Sequence, residues 1–114
     1  MIRVGRYDVA SIVNGWIRLD GGAMFGVVPR VLWQRTEDVD ADNRILMAMR
    51  TLVVADRQAG RVMLVDSGAG PKWTPDEARR YAIEDLPDSL PTGLSRMGLG
   101  MEDVTDVVIT HAHF

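Results

Sequence analysis

The sequence predicts an α/β domain in which strands fill the first half and helices lead to a last short strand. Three observations predict this class. Residues 43–56 form an apolar run that has the composition of a central strand. Several helix-start signals agree at Thr74. A β-branched run, Val107-Val108-Ile109, has the length of a buried strand and leads through Thr110 to the only two histidines.

Composition limits the functions that need to be considered. The chain has 114 residues, of which 46% are hydrophobic, which suits one small domain or part of a larger one. A net charge of −3 gives no electrostatic footprint for nucleic acid. The absence of cysteine means that any metal must be held by histidine and carboxylate groups. No stretch suits a membrane span or a signal peptide, so we expect a cytoplasmic protein without a membrane partner.

The first third predicts strand and loop structure. Residues 7–19 alternate loosely, as one long strand or as two strands with a break near Asn14-Gly15. Residues 23–29 are apolar but interrupted by glycine and proline, which predicts an irregular loop that packs on the body or lines a pocket. Residues 36–43 are acidic without the spacing of a calcium loop, so a solvated loop is expected.

The middle of the chain predicts a hairpin. Residues 43–56 are apolar on both faces, and although a helix competes in the Met- and Ala-rich first half, the β-branched second half favours a strand. A turn over residues 57–60 and a return strand over residues 61–66 follow. The return strand ends in Asp66, for which two roles remain open. Its carboxylate either caps backbone N–H groups or orients the ligands of a neighbouring site.

Two helices are predicted next. Thr74 is the N-cap of the first, Pro75 takes its first position, and Glu77 completes a capping box. Pro87 is expected to end this helix. Its expected buried stripe comprises Ala78, Tyr81, Ala82 and Leu86. The second helix covers residues 89–97, and its expected apolar face comprises Leu90, Leu94 and Met97, with Gly98 at C′.

The final strand gives the first functional hypothesis. Side chains two residues apart on a strand point to the same side. His111 and His113 therefore leave the end of the strand together and can converge on one metal ion. The alternative is a frayed, solvated chain end.

Several stretches together resemble one protein family. Asp66-Ser67-Gly68 resembles the strand-end turn of the metallo-β-lactamase fold superfamily, and residues 106–113 resemble the beginning of its His-x-His-x-Asp-His motif. Residues 21–29, with Asn43-Arg44-Ile45 and Lys72-Trp73, resemble the subgroup that includes the quorum-quenching lactonases. The resemblance implies the N-terminal half of an αββα sandwich, a mixed sheet with flanking helices. Residues 1–114 would then be a partial domain, cut within the His motif.

The resemblance also implies a function. The expected protein is a zinc-dependent hydrolase, with two zinc ions in the complete domain, whose metal-bound hydroxide attacks a small-molecule ester, lactone or related bond. Carried over by position, His111 and His113 are ligands of the first zinc. Asp66 and Thr110 support those ligands, and Met24 and Phe25 line the substrate pocket.

The same resemblance limits what this chain is expected to do alone. A catalytic zinc site needs three protein ligands plus water, so residues 1–114 should bind zinc weakly and hydrolyse nothing. Half a sandwich exposes an apolar sheet, which would pair with the missing C-terminal half or self-associate. The alternative function is a non-catalytic truncated product, or a half that works only with a partner chain. Nuclease members of the superfamily leave the substrate class open.

Overall fold

A six-stranded sheet forms the centre of the molecule, and short helices flank it. The computed structural model describes residues 1–112. The strands are β1 (Ile2–Val4), β2 (Tyr7–Asp20), β3 (Arg44–Asp56), β4 (Arg61–Val65), β5 (Glu84–Asp85) and β6 (Asp106–Val108). The helices are α1 (Gly21–Phe25), α2 (Arg30–Trp33), α3 (Pro75–Arg80), α4 (Ser89–Arg96) and a 3-10 turn (Met101–Asp103). The predicted mixed α/β class is confirmed.

The strand order is β1-β2-β3-β4-β6, and β5 pairs with β2. The pairs among the first four strands are antiparallel, whereas β4 and β6 run parallel, with Met63 opposite Asp106. A parallel pair needs a crossover connection, and the segment that carries α3 and α4 supplies it. This crossover brings the exits of β4 and β6 to the same edge of the sheet.

Strand β2 is one long strand rather than two, with a register shift between Val13 and Gly15 where a break was considered. At this irregularity β5 pairs with Gly15 and Trp16. A Cβ on Gly15 would lie 2.3 Å from the carbonyl oxygen of Glu84, so only glycine lets β5 approach this closely. The hairpin of β3 and β4 is confirmed, with Gly60 in the left-handed region at φ 62°.

The loop predicted over residues 23–29 begins inside the short helix α1, stays irregular over residues 26–29 and leads into α2. The Asp20 carboxylate accepts a hydrogen bond of 2.9 Å from the Ala23 N–H and so caps α1. The Phe25 ring stacks on the buried Trp33 ring with centroids 5.1 Å apart. The cap and the stacked rings give the two helical parts of this segment a regular structure despite its glycines.

The first predicted helix begins as expected but ends early. Thr74 and Glu77 form the capping box, and α3 ends at Arg80 rather than near Pro87. Ala82 takes a left-handed φ of 46°, after which the chain enters β5. The expected stripe is therefore wrong, since α3 has no buried residue and Leu86 is exposed. Strand pairing at the irregularity of β2 overrides the local helix preference.

The core lies between α4 and one face of the sheet. Leu94 of α4 and Met97, its C-cap residue, are buried, and Leu90 packs beside them, as the helical spacing predicts. The sheet residues of this core are Ile12, Val53, Ala55, Val62 and Leu64. Gly93 lets α4 approach closely, because a Cβ there would lie 2.3 Å from the Ile12 Cδ1. The core thus sits on one side of β3.

The opposite side of the sheet carries a second apolar surface, which we name the open sheet face and which comprises Leu52, Val54, Met63, Val65 and Val108. Residues opposite each other on neighbouring strands share a face, and Leu52 lies opposite Val65, which lies opposite Val108. Leu52 and Val108 are exposed. Within residues 1–112, β3 is therefore not covered on both sides as predicted. The last strand is also not buried, since Val107, Val108 and Ile109 are all exposed.

A buried carboxylate at the β3–β4 turn makes stability depend on pH. Asp56 is only 5% exposed, and burial raises its pKa. The N–H groups of Ala59 and Gln58, at 3.1 and 3.2 Å, and the ion pair with Arg6 outweigh burial, so the pKa lies below its ordinary value. At pH values above the pKa that Asp56 has in the unfolded chain, its charged carboxylate therefore stabilises the folded state. This contribution is lost as the pH falls through the lower folded pKa.

We expect Asp56→Asn to flatten the acid side of the stability profile, because the variant cannot change charge there. Urea unfolding between about pH 3 and about pH 7 measures this. Asp76→Asn is the control, since its carboxylate lies on the surface and pairs with the exposed Arg79. If the stability of the wild type and of Asp56→Asn depends on pH in the same way, the Asp56 carboxylate does not have this stabilising role.

Candidate functional site

The exits of the parallel strands β4 and β6 bring Asp66 and Thr110 together. The N–H of Asp66 donates to the carbonyl oxygen of Val108 at 2.8 Å, which continues the ladder past the end of β4. Residues at the carboxyl ends of adjacent parallel strands share one edge of a sheet, where open α/β sheets place their ligands. The strand-end position predicted for Asp66 is observed.

The Asp66 carboxylate binds the backbone and the side chain of Thr110. Its Oδ1 accepts from the Thr110 N–H at 2.9 Å, and the Thr110 hydroxyl lies 2.7 Å from Oδ2. These bonds, led by the backbone N–H, and the nearby His111 lower the pKa of Asp66. Asp66 therefore caps a backbone N–H, one of the two roles considered from sequence, and its other role, orienting the ligands of a site, stays a prediction.

Thr110 connects this carboxylate to His111. The Thr110 hydroxyl oxygen lies 2.8 Å from Nδ1 of His111. Since the single hydroxyl proton is donated to Asp66, the hydroxyl can accept a bond from a protonated Nδ1. This favours the tautomer in which Nε2 carries the lone pair that a metal takes. His113 lies outside the described residues, so its predicted convergence with His111 stays a prediction.

The backbone of Asp66 is held in an unusual conformation. Its φ of 57° lies in the left-handed region, where residues other than glycine are uncommon. The hydroxyl of Thr51, on β3, donates to the Asp66 carbonyl oxygen at 2.9 Å. The sequence did not single out Thr51, because the surrounding run indicated only a buried strand. The one available signal was a polar residue on the buried face of that run.

A groove of about 600 Å³ lies beside Asp66 and His111. Its apolar lining includes Met24, Met47 and Met49, and Arg50 supplies a cationic group. Met24 therefore lines the same groove as Asp66 and His111. Phe25, proposed with it from sequence, stacks on Trp33 instead of lining this groove. The roles of both in substrate binding stay predictions.

The described residues do not complete a metal site. Between residues 1 and 112, no three His, Asp or Glu side chains group closely enough to hold an ion. His111 is one suitable donor, and Asp66 is occupied by Thr110. A catalytic zinc site has three protein ligands, a set that residues 1–112 do not bring together.

Comparison with known proteins supports the fold. The sequence matches no family model and no curated protein. The structure is similar to the crystal structure of a probable metal-dependent hydrolase from Staphylococcus aureus, with a TM-score of 0.85 and 26% identity. The similarity covers 99% of this chain and 40% of that protein, so the chain spans less than half of its length. In the described part of the chain, no helix is long and apolar enough to cross a membrane.

Proposed function

We propose that the chain supplies part of the active site of a metal-dependent hydrolase of the metallo-β-lactamase type. One observation carries this proposal: hydrogen bonds connect Asp66 through Thr110 to His111 at the exits of two parallel strands. In metal sites, a ligating histidine typically donates its other ring N–H to an oxygen acceptor that fixes the ring, and here the Thr110 hydroxyl, held by Asp66, is placed to accept it. The similarity to a protein described as a metal-dependent hydrolase agrees with it.

The proposed ligands are His111 and His113, with zinc as the metal. A zinc ion held there would act as a Lewis acid and lower the pKa of a water molecule. The chain itself orients His111 through Thr110 and Asp66, and the groove offers apolar contacts through Met24 and its neighbours. An ester or lactone with an apolar chain suits this lining.

The proposal also assigns a partner to the open sheet face. An exposed apolar sheet surface indicates an interaction site. Because the similar protein is longer, with this chain spanning 40% of it, we propose that a second half of the domain covers the face and supplies the missing ligands. Self-association is the alternative when that half is absent. A non-catalytic protein that works only with a partner chain is the second candidate function, favoured by the incomplete ligand set within residues 1–112.

A zinc titration followed by NMR tests the metal role. We expect zinc to shift the ring signals of His111 in the 114-residue chain with weak affinity, because the described ligand set is incomplete. His111→Gln should remove the zinc response of the remaining histidine, His113, and Arg96→Gln, on α4, should leave the His111 response unchanged. Turnover of lactone, ester and β-lactam substrates is expected to be absent.

The possible outcomes separate the two parts of the proposal. A wild-type chain whose His111 signals ignore zinc would contradict the metal role. Stoichiometric zinc together with turnover would contradict the need for a second half.

A further inference from the structure

We propose that Asn14 and Thr51 are positioning residues whose buried hydrogen bonds fix the backbone of Asp66 and thereby the direction of His111. This rests on the proposed function, because it assigns residues to the orientation of that metal site. The two residues lie on β2 and β3, outside the stretches that carry the family resemblance.

The directions of these bonds are fixed by chemistry. The Asn14 side-chain amide donates to the Thr51 hydroxyl oxygen, since an NH₂ group cannot accept. The Thr51 hydroxyl then gives its only proton to the Asp66 carbonyl oxygen at 2.9 Å, since a carbonyl cannot donate. Thr51 thus links Asn14 to Asp66 through two consecutive hydrogen bonds.

Both groups are buried, which makes the arrangement costly to disturb. Asn14 is 4% exposed and Thr51 is 0% exposed. A buried polar group that loses its hydrogen-bond partner costs free energy, so other arrangements of these side chains are disfavoured. The Asp66 carbonyl is consequently held in one direction, which agrees with its left-handed φ of 57°.

The rest of the turn also packs on Asn14. Gly68 has a φ of 73°, and a Cβ there would lie 2.9 Å from the Asn14 Cβ. On its other side, the Asn14 carbonyl accepts from the Leu86 N–H at 2.7 Å, and the Ser89 hydroxyl lies 3.4 Å from its Oδ1. Asn14 therefore ties the turn after β4 to the segment that begins α4. The irregularity of β2 is what places it there.

The consequence reaches His111 through Thr110. With its backbone held this way, Asp66 points its carboxylate toward the exit of β6, where it accepts from both the N–H and the hydroxyl of Thr110. If Thr51 ceased to donate, the left-handed conformation would lose its support and the carboxylate would leave Thr110. The Thr110 hydroxyl would then no longer restrict the His111 ring.

The test compares Thr51→Val, which keeps the shape of the side chain and removes the hydroxyl, with Thr51→Ser, which keeps the hydroxyl. In zinc-free protein, we expect Thr51→Val to shift the Asp66 backbone coupling constant toward extended values. Amide exchange of Thr110 should become at least about tenfold faster. The zinc response of His111 should weaken at least about fivefold. Thr51→Ser should restore all three.

Thr105→Val is the matched control. Its hydroxyl also bonds the backbone of β4, at Val62, but it does not touch Asp66. If Thr110 exchange in Thr51→Val accelerates only as much as in this control and the Asp66 coupling is unchanged, the positioning role is overturned. If zinc leaves the His111 signals of the wild type unchanged, the proposed function is overturned, and so is any role of Asn14 and Thr51 in metal binding. The coupling and exchange measurements would still decide whether Thr51 sets the Asp66 backbone.

Discussion

Leu94→Ala is expected to lower the free energy of unfolding by about 2–5 kcal/mol, the usual cost of truncating a fully buried leucine. Leu94 is 0% exposed and joins α4 to the core face of the sheet. The truncated side chain would leave a cavity that the rigid sheet below cannot fill. A loss of this size is a large share of the stability of a small domain. Urea denaturation of both proteins measures the difference.

Leu32→Ala is the matched control, because the same atoms are removed from a leucine that is 55% exposed on α2. Its expected effect is below about 0.5 kcal/mol. Equal losses for the two variants would mean that α4 does not pack on the sheet as described.

The open sheet face is expected to make the isolated chain associate, and Leu52→Lys is expected to return it largely to monomer. Leu52 lies in a row with Val65 and Val108, so a lysine there places a charge within the apolar surface. Burying an unpaired charge costs several kcal/mol, which disfavours contact between two such faces. Sedimentation velocity at increasing protein concentration measures the mass of both proteins.

Val27→Lys is the control for added charge alone, since Val27 is fully exposed outside the sheet. It should associate like the wild type. A wild-type chain that stays monomeric and unfolds cooperatively would contradict this role of the sheet face. Circular dichroism of each variant checks that Leu52→Lys still folds, which is expected because that side chain already lies partly in solvent.

Features encoded by local pattern were predictable from sequence. The hairpin of β3 and β4, the capping box at Thr74 and the apolar face of α4 each rest on residues close in the chain. Their periodicity and turn chemistry predict them without tertiary information. The succession of the hairpin, two helices and a last strand is predictable for the same reason, whereas β1, α1, α2 and β5 are not.

Features fixed by tertiary contacts were missed. The residues of β5 were assigned to a helix, because nothing local shows that the irregularity in β2 accepts another strand. Helices α1 and α2 depend on the Asp20 cap and on the stacking of Phe25 on Trp33. Helix propensity is a weak guide where such contacts decide the structure.

The candidate site was predictable only in part. Asp66, Thr110 and His111 were identified because they follow strands. The bond between Asp66 and Thr110 depends on the register of β4 with β6, which a distant crossover sets. Asn14 and Thr51 gave weaker signals, since Asn14 suggested a turn and Thr51 lay within an apolar run.

The parallel pairing of β4 with β6 has a consequence for the order of folding. Strands β2, β3 and β4 pair with their neighbours along the chain, whereas Asp66 and Thr110 lie 44 residues apart. Closing a longer loop costs more entropy before any contact is gained, so β6 is expected to dock after the β2–β4 sheet has formed. The histidine at its exit is then oriented in the last step. A nascent chain should therefore form the sheet of β2, β3 and β4 before Thr110 and His111 are held beside Asp66.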